Sequence, residues 1–153
     1  MRRFLLPCLV CLSLPAAAGV TVTFPEAGPT DAGQTRLETQ RATSDIARHL
    51  EALGARHLKP GQNLRIEVLD LNLGGRVKPQ PGSDARVARA GEWPQIRVRY
   101  ELEIPGEPVR KGEEVISDRE YLRGPNNDWS ALGREKRMLE EWFRARFVRS
   151  PSG

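Results

Sequence analysis

The chain has 153 residues, of which 39% are hydrophobic, enough for one small domain whose core needs no metal or disulfide staple. Its 24 Lys and Arg stand against 20 Asp and Glu, a net charge of +4. The two signs are interleaved along the chain, so the basic stripe that marks a nucleic-acid surface is absent from the sequence.

Met1, Arg2 and Arg3 supply a positive start, Phe4 to Leu14 an apolar run and Ala16, Ala17 and Ala18 a small-residue cleavage site. Residues 1–18 therefore read as a signal peptide cut after Ala18. The apolar run is too short for the ~20 residues that span a bilayer. Cys8 and Cys11 are the only cysteines and both lie in this leader, so the mature chain has no disulfide, cysteine-ligated zinc or cysteine nucleophile. Neither cysteine follows the small residues that a lipid anchor requires. Cleavage removes two arginines and no acid, leaving 22 basic against 20 acidic residues and a net charge of +2. The expectation is an exported, periplasmic product without a stable membrane anchor.

Residues 19–153 read as one domain. Val20 to Phe24 alternate with period two and stop at Pro25, a short first strand. A loop over 26–33 leads to a helix from about Thr35, with Ala42, Ile46, Leu50, Leu53 and His57 on one seam and Pro60 and Gly61 as its end. Asn63 to Val77 form the second strand. Its apolar parity flips from Leu64, Ile66 and Val68 to Leu69, Leu71 and Leu73, which marks a bulge near Val68 and Leu69 or burial on both faces; central placement is the simpler inference. The stretch near 78–92 has no sustained period and reads as a mobile surface loop.

Gln95 to Leu122 read as a β-hairpin. Ile96, Val98, Tyr100, Leu102 and Ile104 alternate with Arg97, Arg99, Glu101 and Glu103, the turn falls at Pro105 to Glu107, and Gly112 is expected as a bulge in the return strand. A last helix, capped by Asp128 or Ser130, carries Leu132, Leu139, Trp142 and Phe143 on an apolar arc, and the tail from Arg149 reads as frayed. The predicted fold is α+β: a two-layer sandwich in the order β-α-β-β-β-α, with a four-stranded, mostly antiparallel sheet and two helices on one face.

Groups able to carry chemistry are few. His49 and His57 are two turns apart on one helix, about 12 Å, too far to share a metal. Asp45 and His49 have the spacing of a weak pair that more often makes a surface contact. Among the acids Asp70, Glu113, Glu114, Asp118 and Glu120, adjacent Glu113 and Glu114 point to opposite faces and form no dyad. Ser117 lacks a nucleophile elbow, and Gly74 and Gly75 lack the spacing and lysine of a phosphate loop. Glu135 and Arg146 are the odd placements, both within the apolar arc of the last helix. Each is expected to snorkel at a helix end or reach a partner on the sheet, for example Arg146 with a strand carboxylate. A further reading makes Trp129, Trp142 and Arg146 the aromatic and arginine anchors of a partner-binding groove.

Three segments together resemble a bacterial family of exported proteins known as the domain of unknown function 3016 family. They are Trp93 to Ile96 entering Arg97 to Leu102, Gly112 to Asp118, and Leu132 to Lys136 leading to Trp142, Phe143 and Arg144. The likeness spans nearly the whole mature chain and implies an exported single-domain protein without assigning catalytic residues. The leading expectation is a non-enzymatic binding module that meets a protein or other cell-envelope component, with no cofactor and no nucleic acid. One alternative is a hydrolase using a carboxylate pair such as Asp70 and Asp118; another is a small-ligand-binding protein with an enclosed apolar pocket between helices and sheet.

Overall fold

A computed structural model describes residues 18–25, 36–73, 76–77, 86–87, 93–118 and 132–148. Strand β1 (Gly19–Thr23) is followed by helix α1 (Arg36–His57) and strand β2 (Asn63–Asn72). Two-residue strands β3 (Arg76–Val77) and β4 (Arg86–Val87) come next, then β5 (Gln95–Glu103), β6 (Arg110–Ser117) and helix α2 (Gly133–Phe143), which continues as a π-helical turn over Arg144–Val148. The main sheet has four strands in the order β1-β2-β5-β6. β1 lies parallel to β2, while β2 with β5 and β5 with β6 are antiparallel. The α+β fold expected from the sequence is the observed one, and the parallel β1-β2 pair carries α1 across the same face that α2 covers.

Alternation dictates that arrangement. On β2 and β5 every second residue is buried, Leu64, Ile66 and Val68 against Ile96, Val98, Tyr100 and Leu102. They meet Ala42, Ile46, Leu50 and Leu53 of α1 and Met138, Leu139 and Phe143 of α2 in one core. The parity flip in β2 is a bulge. Val68 opposes Val98 and Asp70 opposes Arg97, so Leu69 is the extra residue that returns Leu71 and Leu73 to the core side. β2 is central in the order of the sheet, between β1 and β5, but it is not buried on both faces: Arg65, Glu67 and Asp70 are exposed, so of the two readings the bulge is the observed one.

Pro-Gly pairs close two connections. At Lys59–Gln62 and at Ile104–Glu107 the fourth residue's N–H donates to the first residue's carbonyl, 3.0 Å in each case. Gly61 and Gly106 have φ of 85° and 81°, the left-handed position that follows proline in a type II turn. α1 ends with Arg56 and His57 in its last turn, where positive charge complements the helix dipole.

Three expectations need correction. The pairing of β5 with β6 runs in unbroken register through Gly112, so that glycine is not a bulge. It is required because the Tyr100 ring lies over it: a Cβ at Gly112 would sit 2.4 Å from the Tyr100 hydroxyl oxygen. α2 starts later than expected, with Leu132 at the N-cap and no side-chain cap, and Asp128 and Ser130 lie outside the described residues. The second strand ends at Asn72, and the segment beyond it contributes the short β3-β4 pair instead of a longer strand. The proposed leader, apart from Ala18, and most of the expected loop near 78–92 also lie outside the described residues.

Candidate functional site

The pleat sends Glu113 and Glu114 to opposite sides of β6, as their adjacency requires. Glu113 turns to the open face and binds Arg99 at 3.2 Å. Glu114 turns to the helix side, where it meets Tyr100 from β5 and the end of α2. Three donors converge on its carboxylate. The Tyr100 hydroxyl donates to Oε1 at 3.0 Å, the Trp142 indole N–H donates to Oε2 at 3.1 Å, and the Arg146 guanidinium reaches Oε1 at 2.7 Å.

Aromatic rings wall this cluster. Phe147 is in edge-on contact with Tyr100, Trp142 and Phe143, at centroid distances of 5.2, 5.3 and 5.1 Å. The π turn makes the contact with Trp142 possible, because i→i+5 hydrogen bonding underwinds the backbone and brings residues five apart toward one face. Arg146, odd on an apolar arc by sequence alone, keeps its head half exposed and anchors it on a strand carboxylate.

The electrostatics follow from the contacts. Burial acts to raise the Glu114 carboxyl pKa, but hydrogen bonds from Trp142, Arg146 and Tyr100, with the Arg146 charge, outweigh it and hold the group below the ordinary glutamate value. Burial and the bond to Glu114 push the Tyr100 hydroxyl up, and the same carboxylate raises Arg146. Glu114 is thus a poor general base and Tyr100 a poor nucleophile near neutrality. The cluster instead fixes an indole, a guanidinium and a phenyl ring at one end of the helix layer, next to Val148, which is 41% exposed.

The structure gathers Trp142 and Arg146 around Glu114, while Trp129 lies outside the described residues. Asp70 and Asp118 are not brought together. Asp70 opposes Arg97, whose neighbours Ile96 and Val98 point into the core, so it belongs to the open face. Asp118 turns to α2, 3.7 Å from Arg137. The sheet separates them, and this pair cannot flank one scissile bond.

His49 ties the helices together, its Nε2–H donating to the Lys136 carbonyl at 3.0 Å. Asp45, its expected neighbour, pairs with Arg48 instead. His57 packs against Phe143, and its Nε2 has no hydrogen-bond partner among the described residues. Glu135 is buried at 1% exposure. Among the described residues no three His, Cys, Asp or Glu side chains are grouped to hold a metal ion, and no helix is long and apolar enough to cross a membrane.

The open face of the sheet is built from charge. Arg65 pairs with Glu103, Arg99 with Glu67 and Glu113, and Lys111 with Glu101. A groove of about 330 Å³ runs across it, lined by side chains that include Thr21, Thr23, Arg65, Glu67 and Lys111. This groove lies on the open face of the sheet, away from the helix layer, and the stems of its charged residues line it together with Ile66 and Tyr100.

Fold and site together define a two-layer α+β domain whose helix-side carboxylate is saturated by its own neighbours. The chain belongs to the family described as Protein of unknown function (DUF3016), whose profile matches residues 21–145, from within β1 into the π turn. No curated protein matches the chain.

Proposed function

We propose that this protein is an exported, non-enzymatic binding module of the bacterial cell envelope, delivered to the periplasm by residues 1–18. Trp142 and Arg146, set in place by Glu114, are its partner-contacting side chains. The observation that carries the reading is the convergence of three donors on the Glu114 carboxylate. A group saturated in this way is poorly suited to proton transfer, whereas a preordered indole and arginine lose little freedom on contact with another surface.

The reading is tested by a photo-crosslinking residue placed in the full-length chain in cells, at Val148 beside the cluster or at Arg65 on the open face. A discrete adduct with another polypeptide at 148, absent at 65 and lost on adding Arg146→Ala, is the expected result. No adduct at 148 in any growth state overturns it. Export is read separately, from a periplasmic product whose intact mass begins at Gly19; a chain retained whole in the cytoplasm removes that part.

A further inference from the structure

Strand β6 is an edge of the sheet, with β5 on one side and no strand on the other among the described residues. Edge strands are ordinarily blunted by a proline, a bulge or repelling charge. β6 has no proline, and its register with β5 is unbroken. Its charges are arranged differently from a blunted edge. Around Gly112, Lys111 and Glu113 occupy the flanking positions, Arg110 and Glu114 the next, and Val109 and Val115 the third. Each step outward pairs a base with an acid and then a valine with a valine. Val109 and Val115 are 46% and 55% exposed, two of the few large apolar side chains at the described surface.

We infer that β6 pairs antiparallel with β6 of a second copy of this chain, about a two-fold axis at Gly112, so that two four-stranded sheets join into one of eight strands. In that register Lys111 faces the second copy's Glu113, Arg110 its Glu114, and Val109 its Val115. Residues opposed in this way share a face, because each pair of positions has the same parity. The open-face charges then continue without a break. Within one chain Glu67 opposes Arg99 and Arg99 opposes Glu113, while Arg65 opposes Glu101 and Glu101 opposes Lys111. Joined at the axis, the two rows become Glu67, Arg99, Glu113, then Lys111, Glu101, Arg65 of the second copy, alternating in sign across six strands.

Neighbouring registers lack this property. A shift of two residues in one direction sets Glu113 opposite its own copy, and in the other direction sets Lys111 opposite its own copy; like charges directly opposed disfavour both. A shift of one residue exchanges the charged face for the helix side. Charge complementarity therefore selects one partner and one alignment. Glu114, opposite Arg110 in this register, already holds Trp142 and Arg146 on the helix side, so the alignment is tested at the open-face residues Lys111 and Glu113, which have no part in that cluster.

The test uses the mature chain in analytical ultracentrifugation at low and high salt. A species of twice the chain mass that dissociates as salt rises is expected. Lys111→Glu places acid opposite acid at both symmetric positions, and Glu113→Lys places base opposite base; each should raise the dimer dissociation constant about tenfold. Mixing the two variants makes every opposed pair attractive again, so the mixture should form a heterodimer where each alone is monomeric. That restoration also shows both variants to be folded. Register is read with Val109→Cys and Val115→Cys chains, which should crosslink to each other on mild oxidation and not to themselves. A wild-type chain that stays monomeric at low salt, a dimer indifferent to Lys111→Glu, or a mixture that fails to associate overturns the inference.

Discussion

Glu114 gathers on one carboxylate what the surrounding residues are arranged to supply. Replacing it by Gln keeps the shape and removes the charge-assisted bond to Arg146, so Glu114→Gln is expected to cost about 1–3 kcal/mol in denaturant unfolding. Its acid dependence has a definite sign. In the unfolded chain the carboxyl titrates near the ordinary value of 4.5, and in the folded chain the donors hold it lower. The stabilisation is complete above that ordinary value and is lost as pH falls through the lower folded one, because the unfolded chain then binds the proton more readily. Unfolding curves measured across that window should be flatter for Glu114→Gln than for the parent chain. Gly112 is the matching constraint on the backbone. Gly112→Ala would bring a methyl into the Tyr100 ring, whose hydroxyl oxygen, Cζ and Cε1 would stand 2.4, 2.5 and 2.7 Å away, so thermal unfolding should show a loss of about 1–3 kcal/mol. That the glycine mattered was legible in the sequence; its reason was not. A glycine inside a strand signals either a bulge or a close approach, and Tyr100 is a neighbour only once the hairpin register is known. The same holds for Arg146. Its placement on an apolar arc called for a strand carboxylate, but only the pleat decides that Glu114, and not Glu113, turns to the helices.

Packing of helix on strand turns on Gly54. A Cβ there would lie 1.9 Å from Val20 Cγ2, so the glycine is what lets α1 lie close on β1. Ala is favoured over Gly in a helix interior by about 1 kcal/mol, yet Gly54→Ala should destabilise, since the steric conflict opposes the propensity gain. Combining it with Val20→Ala should recover part of the loss, a coupling that a double-mutant cycle in denaturant measures. Between the helices His49 gives a second, pH-dependent tie. Burial lowers its pKa from 6.5, against the raising effect of the hydrogen bond to the Lys136 carbonyl. The unfolded chain therefore takes up a proton before the folded one does. Stability falls as pH drops from 6.5 toward the lower folded value, and His49→Gln should flatten that slope in urea titrations. Most of the elements were readable because their periods were clean, but the switch of parity at Leu69 left a bulge and burial on both faces open, and only the exposed Arg65, Glu67 and Asp70 decide for the bulge. The start of α2 was less so. Asp128 and Ser130 have the chemistry of caps, but the helix begins after Leu132 without a side-chain cap, and such a start leaves no mark in composition.

At the scale of the molecule, the sheet has one face for the core and one for solvent, and β1 is the strand that completes the core side under α1. It begins at Gly19, whose N–H donates to the Gln62 carbonyl at 3.1 Å, and it pairs with Asn63–Glu67 of β2. A chain that starts at Gly19 retains every one of those contacts. Its new amino group still has protons to donate to Gln62, so such a chain should unfold cooperatively. A chain that starts at Glu26 would lose Val20, Val22 and Phe24, which pack against the core, and would turn central β2 into an edge. Gly54 would then face an empty groove, and Leu64 and Ile66 would lose the cover of the neighbouring strand. The removed apolar packing is worth about 3 kcal/mol or more, a large share of the stability of a domain this size. Amide hydrogen exchange should therefore show β2 protected in the chain from Gly19 and opened in the chain from Glu26. Equal protection in both would mean that α1 and the remaining three strands hold the core without β1.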